Sequence, residues 1–524
     1  MIKQHRCNTD KDNPVYLDGW QTLMKNCIMN LKIFLFSILF LSNCIIIKTQ
    51  IYVGDINITS QSQIDNFSVD YPGITEISGN LKISGIGITN LSGLTQLSKI
   101  TGDLDFFTTG LTNLNGFESL DSVGGILSFI FNSFLINMEG FSSLATVGKD
   151  LMIVSNSSLI NLTGLNSLTT IERTLWFSAN HSLTSLDGIN NLSAISNIFI
   201  IENNSLKNLS GLNNVISLNG ISINSNPSLK SLSGLEHLMT IGQNLEISHN
   251  DSLTGLLTIS NLESIGDSLI IKGNSALVSL AGMDSLTSIG RNLSIDRNPV
   301  LTNLTGLDRL TSIGGGLFII DNASLTNLTG LNNLNTIGQD LVISNNAGLM
   351  SLLALNNLKS IGDSLAISNN PVLISLAGLD NIADTGINKL TIIGSDLLSE
   401  CEISSICSYL KTPSNIALIS KNAVGCNSIA EIEAACPVAD IYEFGCNTEM
   451  GIYPNPCNKY FYIDFGILYN GDIEIYTIGG QVKSTYKLIN TQNTQIDISD
   501  YEKGIYLIKI KSEKQVKTLK LIKN

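Results

Sequence analysis

Apolar positions recur along most of the chain with a period of 23 or 24 residues. A Leu or Ile anchor appears thirteen times at this spacing between about residues 77 and 390, and most units contain Leu-x-Gly-Leu followed by Leu-x-Ile-x. The apolar residues alternate over strand-length stretches, and no ten consecutive residues keep helical spacing. One unit cannot bury its apolar side alone. The pattern therefore predicts stacked coils of two or three short strands around a common interior.

An asparagine stands three residues before the anchor in eleven consecutive units. Stacked coils lie about 4.8 Å apart, so inward amides in register can hydrogen-bond along the stack. Such an amide also satisfies backbone groups of a turn that would otherwise be buried unpaired. A row of ligand-binding amides is the alternative. The predicted structural ladder consists of Asn132, Asn156, Asn180, Asn203, Asn226, Asn250, Asn274, Asn298, Asn322, Asn346 and Asn370.

These units resemble the receptor L-domain or leucine-rich family of bacterial surface proteins, over about residues 77–436. The resemblance implies an all-β fold, a right-handed parallel β-solenoid of about 13 coils, here placed at residues 77–390. Eukaryotic relatives bind hormones and growth factors. That implies protein binding here only by analogy, because a fold does not determine its ligand.

Both ends of a solenoid need a cover. Residues 51–76 are predicted to form the N-terminal cap and residues 391–436 the C-terminal cap. Four cysteines in an exported cap predict two disulfides with three possible pairings, and the sequence around them resembles the cap of the same bacterial family. A zinc site is the alternative, but no C-x-x-C spacing supports it. The cysteines are Cys401, Cys407, Cys426 and Cys436.

Residues 437–450 are expected to be a linker. Residues 451–524 contain alternating stretches at 460–465, 472–476, 495–498, 504–510 and 516–522, which predict a small antiparallel β-sandwich. An ordinary accessory sandwich is one interpretation. The segment also contains a motif and a basic ending (514–523) that resemble the C-terminal sorting domain of type IX secretion in Bacteroidota. The motif residues are Tyr453, Pro454, Asn455, Pro456, Gly504 and Tyr506.

That resemblance implies a partner, the type IX secretion machinery, which would act through residues 451–524. It also implies transit across the outer membrane to the cell surface or medium, removal of the tail, and often attachment to lipopolysaccharide.

The pattern of the first fifty residues is typical of a leader. An apolar run at 33–47 follows Lys25 and Lys32, and its 15 residues are fewer than the ~20 that span a bilayer as a helix. This pattern predicts a secretory signal peptide, with Met24 or Met29 as the true start. An uncleaved membrane anchor and lipidation at Cys44 are the alternatives.

The net charge and the lack of catalytic sequence motifs exclude several classes of function. The formal net charge is −14, and residues 51–448 alone carry −19. An acidic surface repels phosphate backbones, so we expect no nucleic-acid partner. The chain has only four histidines, and those within the repeats occupy unrelated positions; no G-x-S-x-G or H-E-x-x-H motif occurs. The sequence therefore predicts a protein without catalytic activity, cofactor or metal.

The two outward positions of Leu-x-Ile-x are apolar in the early coils. We call these seven residues the apolar strip: Phe107, Ile130, Met152, Val154, Trp176, Phe199 and Ile201. An exposed apolar patch favours a partner-binding site, although a covering segment or plain strand propensity also accounts for it.

We therefore expect an exported surface protein for recognition or adhesion that binds a protein ligand. A carbohydrate-binding protein is the alternative. A polysaccharide-degrading β-helix enzyme is less favoured, because the outward charges are scattered at Asp105, Glu246, Lys272 and Asp296.

Overall fold

The computed structural model describes residues 50–383, 386–436, 451–511 and 516–524. The predicted signal peptide and start sites, Cys44 and the predicted linker 437–450 lie outside the described residues. The chain divides into two compact units at Pro437 and Val438. None of the helices in the described ranges has the length and apolar character needed to cross a membrane.

Each coil of the first unit contributes one strand to a parallel sheet of sixteen strands, the long sheet. Neighbouring strands pair in register, for example Leu317 with Leu341 and Ile319 with Ile343. The predicted parallel β-solenoid is confirmed. The strands are Ile56–Ile58, Leu81–Ser84, Leu104–Phe107, Leu127–Ile130, Asp150–Val154, Thr174–Ser178, Asn197–Ile201, Gly220–Asn224, Leu245–Ser248, Leu269–Lys272, Leu293–Asp296, Leu317–Ile320, Leu341–Ser344, Ser364–Ser368, Lys389–Ile393 and Ile416–Ser420.

The shorter strands of the coils form two further parallel sheets of six strands each. The first contains Gln50–Val53, Ile74–Ser78, Lys99–Ile100, Ser122–Val123, Thr146–Val147 and Thr170–Ile171. The second contains Ser217–Leu218, Thr240–Ile241, Ser264–Ile265, Ser288–Ile289, Ser312–Ile313 and Thr336–Ile337. Between them the coil at Ala194 makes only a single bridge, to Thr170. Most coils therefore have two strands, and turns complete the rest.

The interior is a continuous column of Leu and Ile. In one unit Leu325, Leu328, Leu331, Leu334 and Ile337 are at most 1% exposed. Their spacing of three follows the turns between the strands, whereas the alternation of Leu341 and Ile343 follows the long sheet. Each inward side chain packs on its counterparts in adjacent coils, so the whole stack shares one core.

The recurrent glycine of Leu-x-Gly-Leu has a steric reason. Gly330 has φ +114°, and a Cβ there would lie 2.0 Å from the carbonyl oxygen of Leu304 in the previous coil. Only glycine fits this backbone. Two coils have Thr258 or Ala354 instead, and both form a short 3₁₀-helix at that point, Leu257–Ile259 and Leu353–Leu355. A third 3₁₀-helix spans Ser92–Leu94.

Short helices lie near both ends of the solenoid. Helices Gln61–Asp65 and Phe67–Asp70 bury Ile64 and Phe67 at the N-terminal end. Helices Ser404–Leu410 and Ile429–Ala435 occupy the C-terminal end. The predicted two disulfides are confirmed there, with the pairing Cys401–Cys426 and Cys407–Cys436.

The C-terminal unit is a five-stranded antiparallel sheet. Its strands are Gly451–Tyr453, Tyr460–Thr477, Val482–Asp497, Gly504–Lys511 and Val516–Lys523. The predicted small antiparallel domain is confirmed, but the separate strands expected at 460–465 and 472–476 are one long strand. Pairing shifts register between Asp464 and Gly471. Phe461, before the shift, and Ile475, after it, belong to the same buried core.

Candidate functional surfaces: the outer face of the long sheet and the C-terminal unit

The eleven ladder asparagines are at most 1% exposed. From Asn132 to Asn346, each backbone N–H donates to Oδ1 of the next ladder asparagine at 3.0–3.2 Å. Each Nδ2 donates to a backbone carbonyl of the preceding coil, as Asn203 does to Phe177 at 3.2 Å. One amide thus links three consecutive coils. These groups bond within the stack and are buried away from solvent, an arrangement that stabilises the coils rather than presenting amides to a ligand.

The hydrogen-bonded ladder extends beyond the eleven asparagines at both ends. Thr109 donates its N–H and hydroxyl to Oδ1 of Asn132 at 2.9 and 2.7 Å. At the other end Asn370 donates to the Ser395 hydroxyl, and the Ser395 N–H donates to Oδ1 of Asn422. These three residues could not be predicted from the repeat, because their chemistry or spacing departs from it.

The apolar strip lies on the outer face of the long sheet, in adjacent strands. One column of residues runs across seven strands, which we call the first column: Asp105, Ser128, Met152, Trp176, Phe199, Ser222 and Glu246. The Trp176 and Phe199 rings are 5.1 Å apart between centroids and tilted by 35°. Both side chains are partly buried, and Phe107 is 43% exposed. The other strip residues are also partly exposed, so solvent reaches the strip within the first unit.

The second outward column is Phe107, Ile130, Val154, Ser178, Ile201, Asn224 and Ser248. Ser178 interrupts its apolar part, between Val154 and Ile201. The two columns together bring all seven predicted strip residues onto one face, over five strands.

Sequence alternation missed an apolar extension of the strip at the neighbouring corner. Phe131 is 51% exposed, and its ring lies 6.0 Å from that of Phe107. It has φ +59°, a left-handed conformation shared by the residue before the ladder position in coil after coil. Phe134, Ile136 and Ile160 are 52%, 43% and 45% exposed nearby in the chain. The repeat position of Phe131 could have identified it, because the residue before each ladder asparagine lies at a corner and points away from the core.

A serine–carboxylate pair bounds the strip at each end of the first column. The Ser128 hydroxyl donates to Asp105 Oδ1 at 2.5 Å, and the Ser222 hydroxyl donates to Glu246 Oε2 at 2.9 Å. Ser248 also donates to Glu246, at 2.9 Å to Oε1. In both pairs the serine lies on the side of the strip, so each carboxylate leans toward the apolar residues. The sequence indicated these charges but not their hydrogen bonds to the neighbouring serines.

The two outward charges of the later coils, Lys272 and Asp296, are paired with each other. Lys272 and Arg297 lie 3.3 and 3.7 Å from Asp296, and Arg297 lies 3.4 Å from Asp321. Over the described ranges, no group of three or more His, Cys, Asp or Glu residues is arranged to hold a metal ion.

In the C-terminal unit, the predicted motif residues connect distant parts of the sheet. Asn455 Nδ2 donates to the Lys520 carbonyl at 2.6 Å, and the Ile522 N–H donates to Asn455 Oδ1 at 2.9 Å. The buried Tyr506 donates its hydroxyl to the Glu502 carbonyl at 2.8 Å. Beside them Cys457 is buried as a free thiol, and burial raises its pKa.

A carboxylate on the second half of the long strand is also anchored. Lys511 donates to Glu474 at 2.7 Å, and Tyr476 donates to it as well. These two donors hold the pKa of the Glu474 carboxyl below its ordinary value. Asn455 and the Glu474–Lys511 pair each connect segments that are distant in sequence. Such connections stabilise the sheet of this small domain.

Residues 451–524 match the family described as the secretion system C-terminal sorting domain. No curated protein matches the chain. The sorting domain indicates export by type IX secretion, across the outer membrane to the cell surface or extracellular space. It also implies interaction with the type IX secretion machinery. The match spans the C-terminal unit, so the solenoid is the cargo that the sorting domain exports.

Proposed function

We propose that this is a non-catalytic recognition protein, displayed or released outside the cell, which binds a partner protein through the apolar strip of its solenoid. The observation that carries the proposal is the outward pair Trp176 and Phe199, whose rings pack side by side at 5.1 Å on an open sheet face. Aromatic residues of this kind dominate binding energy at protein interfaces. We further propose that the solenoid is a member of the receptor L-domain family.

The non-catalytic part of the proposal rests on charge pairing. A β-helix hydrolase needs free carboxylates gathered on one outer face. Here Asp296 is paired with Lys272 and Arg297, while Asp105 and Glu246 lie at opposite ends of the first column. Six strand spacings of about 4.8 Å separate them, roughly 29 Å, far beyond the separation of any glycosidase carboxylate pair.

Replacing both rings tests the site. We expect the double change Trp176→Ser and Phe199→Ser to weaken partner binding by about 30-fold or more, because truncating a central aromatic anchor typically costs about 2 kcal/mol. The solenoid should keep its circular dichroism spectrum, since the core lies on the other face of the strand. Binding is measured by capture of extracellular proteins, with a glycan array in parallel to detect a carbohydrate ligand.

The chain offers a matched control in Phe318, which occupies the same outward position in a later coil beside Ser294 and Val342. Phe318→Ser removes a similar ring outside the strip and should leave binding unchanged. Binding that survives the double change but not Phe318→Ser would place the site elsewhere on the solenoid.

Deleting residues 451–524 tests the export route. We expect the truncated protein to be lost from the cell surface and medium and to accumulate in the periplasm, because the sorting domain addresses the type IX machinery. Surface labelling and fractionation measure this, and the intact mass of the exported full-length protein shows whether the tail has been removed, as we propose. Normal surface display of the truncated protein would contradict the assignment.

A further inference from the structure

The charges around the apolar strip suggest what kind of segment it binds, and this inference rests on the proposed function above. The strip is bounded by a carboxylate at each end of the first column, Asp105 and Glu246. A further carboxylate, Glu202, is exposed at the corner directly after Ile201. Residues 51–448 as a whole carry a net charge of −19.

Both bounding carboxylates are directed toward the strip by hydroxyl donors. Ser128 holds Asp105 and Ser222 holds Glu246, and in each case the serine is the residue between the carboxylate and the apolar residues. Glu246 also accepts from the Ser248 hydroxyl at 2.9 Å and from Asn224 Nδ2 at 3.4 Å. Because a carboxylate has about four acceptor positions, each of the two carboxylates keeps at least one position for a cationic donor from a ligand. The strip thus has an apolar centre and, at either end, a carboxylate that can bind a cation.

The dimensions give the length of the ligand. Ser128 and Ser222 are four strand spacings apart and the carboxyl-bearing residues six, so the two carboxylates are separated by about 20–29 Å. An extended polypeptide advances about 3.3 Å per residue, which makes this distance some six to nine residues.

The two ends are not equal. Lys82 is the first-column neighbour of Asp105 on the side away from the strip, and its charge offsets part of that carboxylate. The first-column neighbour of Glu246 on its far side is Ile270, which carries no charge. Lys272 on the same strand lies opposite Ser248, but its ammonium is paired with Asp296 at 3.3 Å. The Glu246 end is therefore the stronger cation site.

We infer that the strip binds an extended basic segment of a partner protein, with apolar side chains over Met152, Trp176 and Phe199 and a Lys or Arg at each end. The apolar centre supplies contact area, and the carboxylates select charge and register. A cation near Trp176 is further favoured by its aromatic face.

Trp176 provides the measurement. The chain has two tryptophans, and Trp20 lies in the predicted leader, before Met24. Trp20→Phe therefore leaves Trp176 as the single tryptophan reporter even where the full-length chain keeps its first residues. Three synthetic nine-residue peptides are titrated: one with Lys at both ends and Leu in the centre, one with Glu at both ends, and one with Lys ends and a Ser centre. We expect the first to bind at least about 10-fold more tightly than either of the others in dilute salt, where screening is weak.

Charge variants of the protein locate the effect. The preference is the ratio of the affinities for the Lys-ended and Glu-ended peptides. Glu246→Gln should reduce this ratio about threefold, and Asp105→Asn should reduce it by less. The double variant should nearly abolish the preference. The matched control is Glu263→Gln, which removes an exposed carboxylate of the next coil away from the outer face. It should leave the preference intact. At about 1 M salt the preference should vanish in every variant, because charges are then screened within about 3 Å.

Equal binding of the Lys-ended and Glu-ended peptides, or failure of every peptide to change Trp176 fluorescence, would overturn this inference. Neither result would overturn the proposed function, because partner capture lost on changing Trp176 and Phe199 would still stand. If those ring changes also leave capture intact, both proposals fail.

Discussion

Asn203→Ala is expected to lower the free energy of unfolding of the solenoid by about 3 kcal/mol. Asn203 is fully buried and accepts from the N–H of Asn180 at 3.2 Å, while its own Nδ2 donates to the carbonyls of Phe177 and Ile201 at 3.2 and 3.0 Å. Alanine leaves the buried Asn180 N–H without this acceptor and removes the Nδ2 donor from the Phe177 carbonyl, whereas the Ile201 carbonyl still accepts from the Ala179 N–H at 3.0 Å. Each buried group left unpaired costs about 1–3 kcal/mol. Denaturant unfolding followed by circular dichroism measures the loss.

The adjacent Asn204 is a matched control, because it is the same residue type one position later but is exposed. Asn204→Ala should change the free energy of unfolding by no more than about 0.5 kcal/mol, as is usual for surface positions. If the two variants unfold at the same denaturant concentration, the ladder does not support the stack.

Removal of either disulfide should be similarly severe for the C-terminal end of the solenoid. The bonds Cys401–Cys426 and Cys407–Cys436 close loops of 25 and 29 residues. Loop-closure entropy of the unfolded chain assigns about 3.5 kcal/mol to each bond. We expect the paired serine variants Cys401→Ser with Cys426→Ser, and Cys407→Ser with Cys436→Ser, each to lose about that amount.

The physical consequence is local. The cysteines hold helices Ser404–Leu410 and Ile429–Ala435, and Tyr409 of the first helix donates its hydroxyl to the Ile416 carbonyl of the last strand at 2.7 Å. Loss of this cap should release that strand first, which hydrogen exchange detects as early exchange at Ile416–Ser420. Cys457→Ser is the control, since it changes a buried cysteine in the other compact unit and should leave exchange in the last strand unaltered. Unchanged exchange in the paired variants would show that the disulfides are dispensable for the cap.

The position of the ladder and of the apolar strip could be predicted because a solenoid converts sequence period into spatial neighbourhood. Residues 24 apart, such as Met152 and Trp176, become partners in adjacent strands. The inward or outward direction of each side chain then follows from alternation along the strand. The same logic explains why Leu317, Ile319 and their equivalents are buried.

The ends of the sheet could not be predicted in this way. Strands Ile56–Ile58 and Ile416–Ser420 continue the long sheet through segments expected to be caps. Ser395 and Asn422 continue the ladder there with different chemistry or spacing. Where the sequence repeat becomes irregular, spacing no longer predicts which residues pair. The backbone groups of the last regular coil still require hydrogen-bond partners.

The sequence by itself determined the stacked-coil architecture, the buried ladder, the outward aromatic pair and the C-terminal motif, because all of these depend on spacing along the chain. Only the tertiary structure decided which of three disulfide pairings forms, that Tyr460–Thr477 is one strand with both halves in one core, and that Phe131 joins the strip. These features depend on distances between side chains that share no repeat position, and such distances exist only once the coils have stacked.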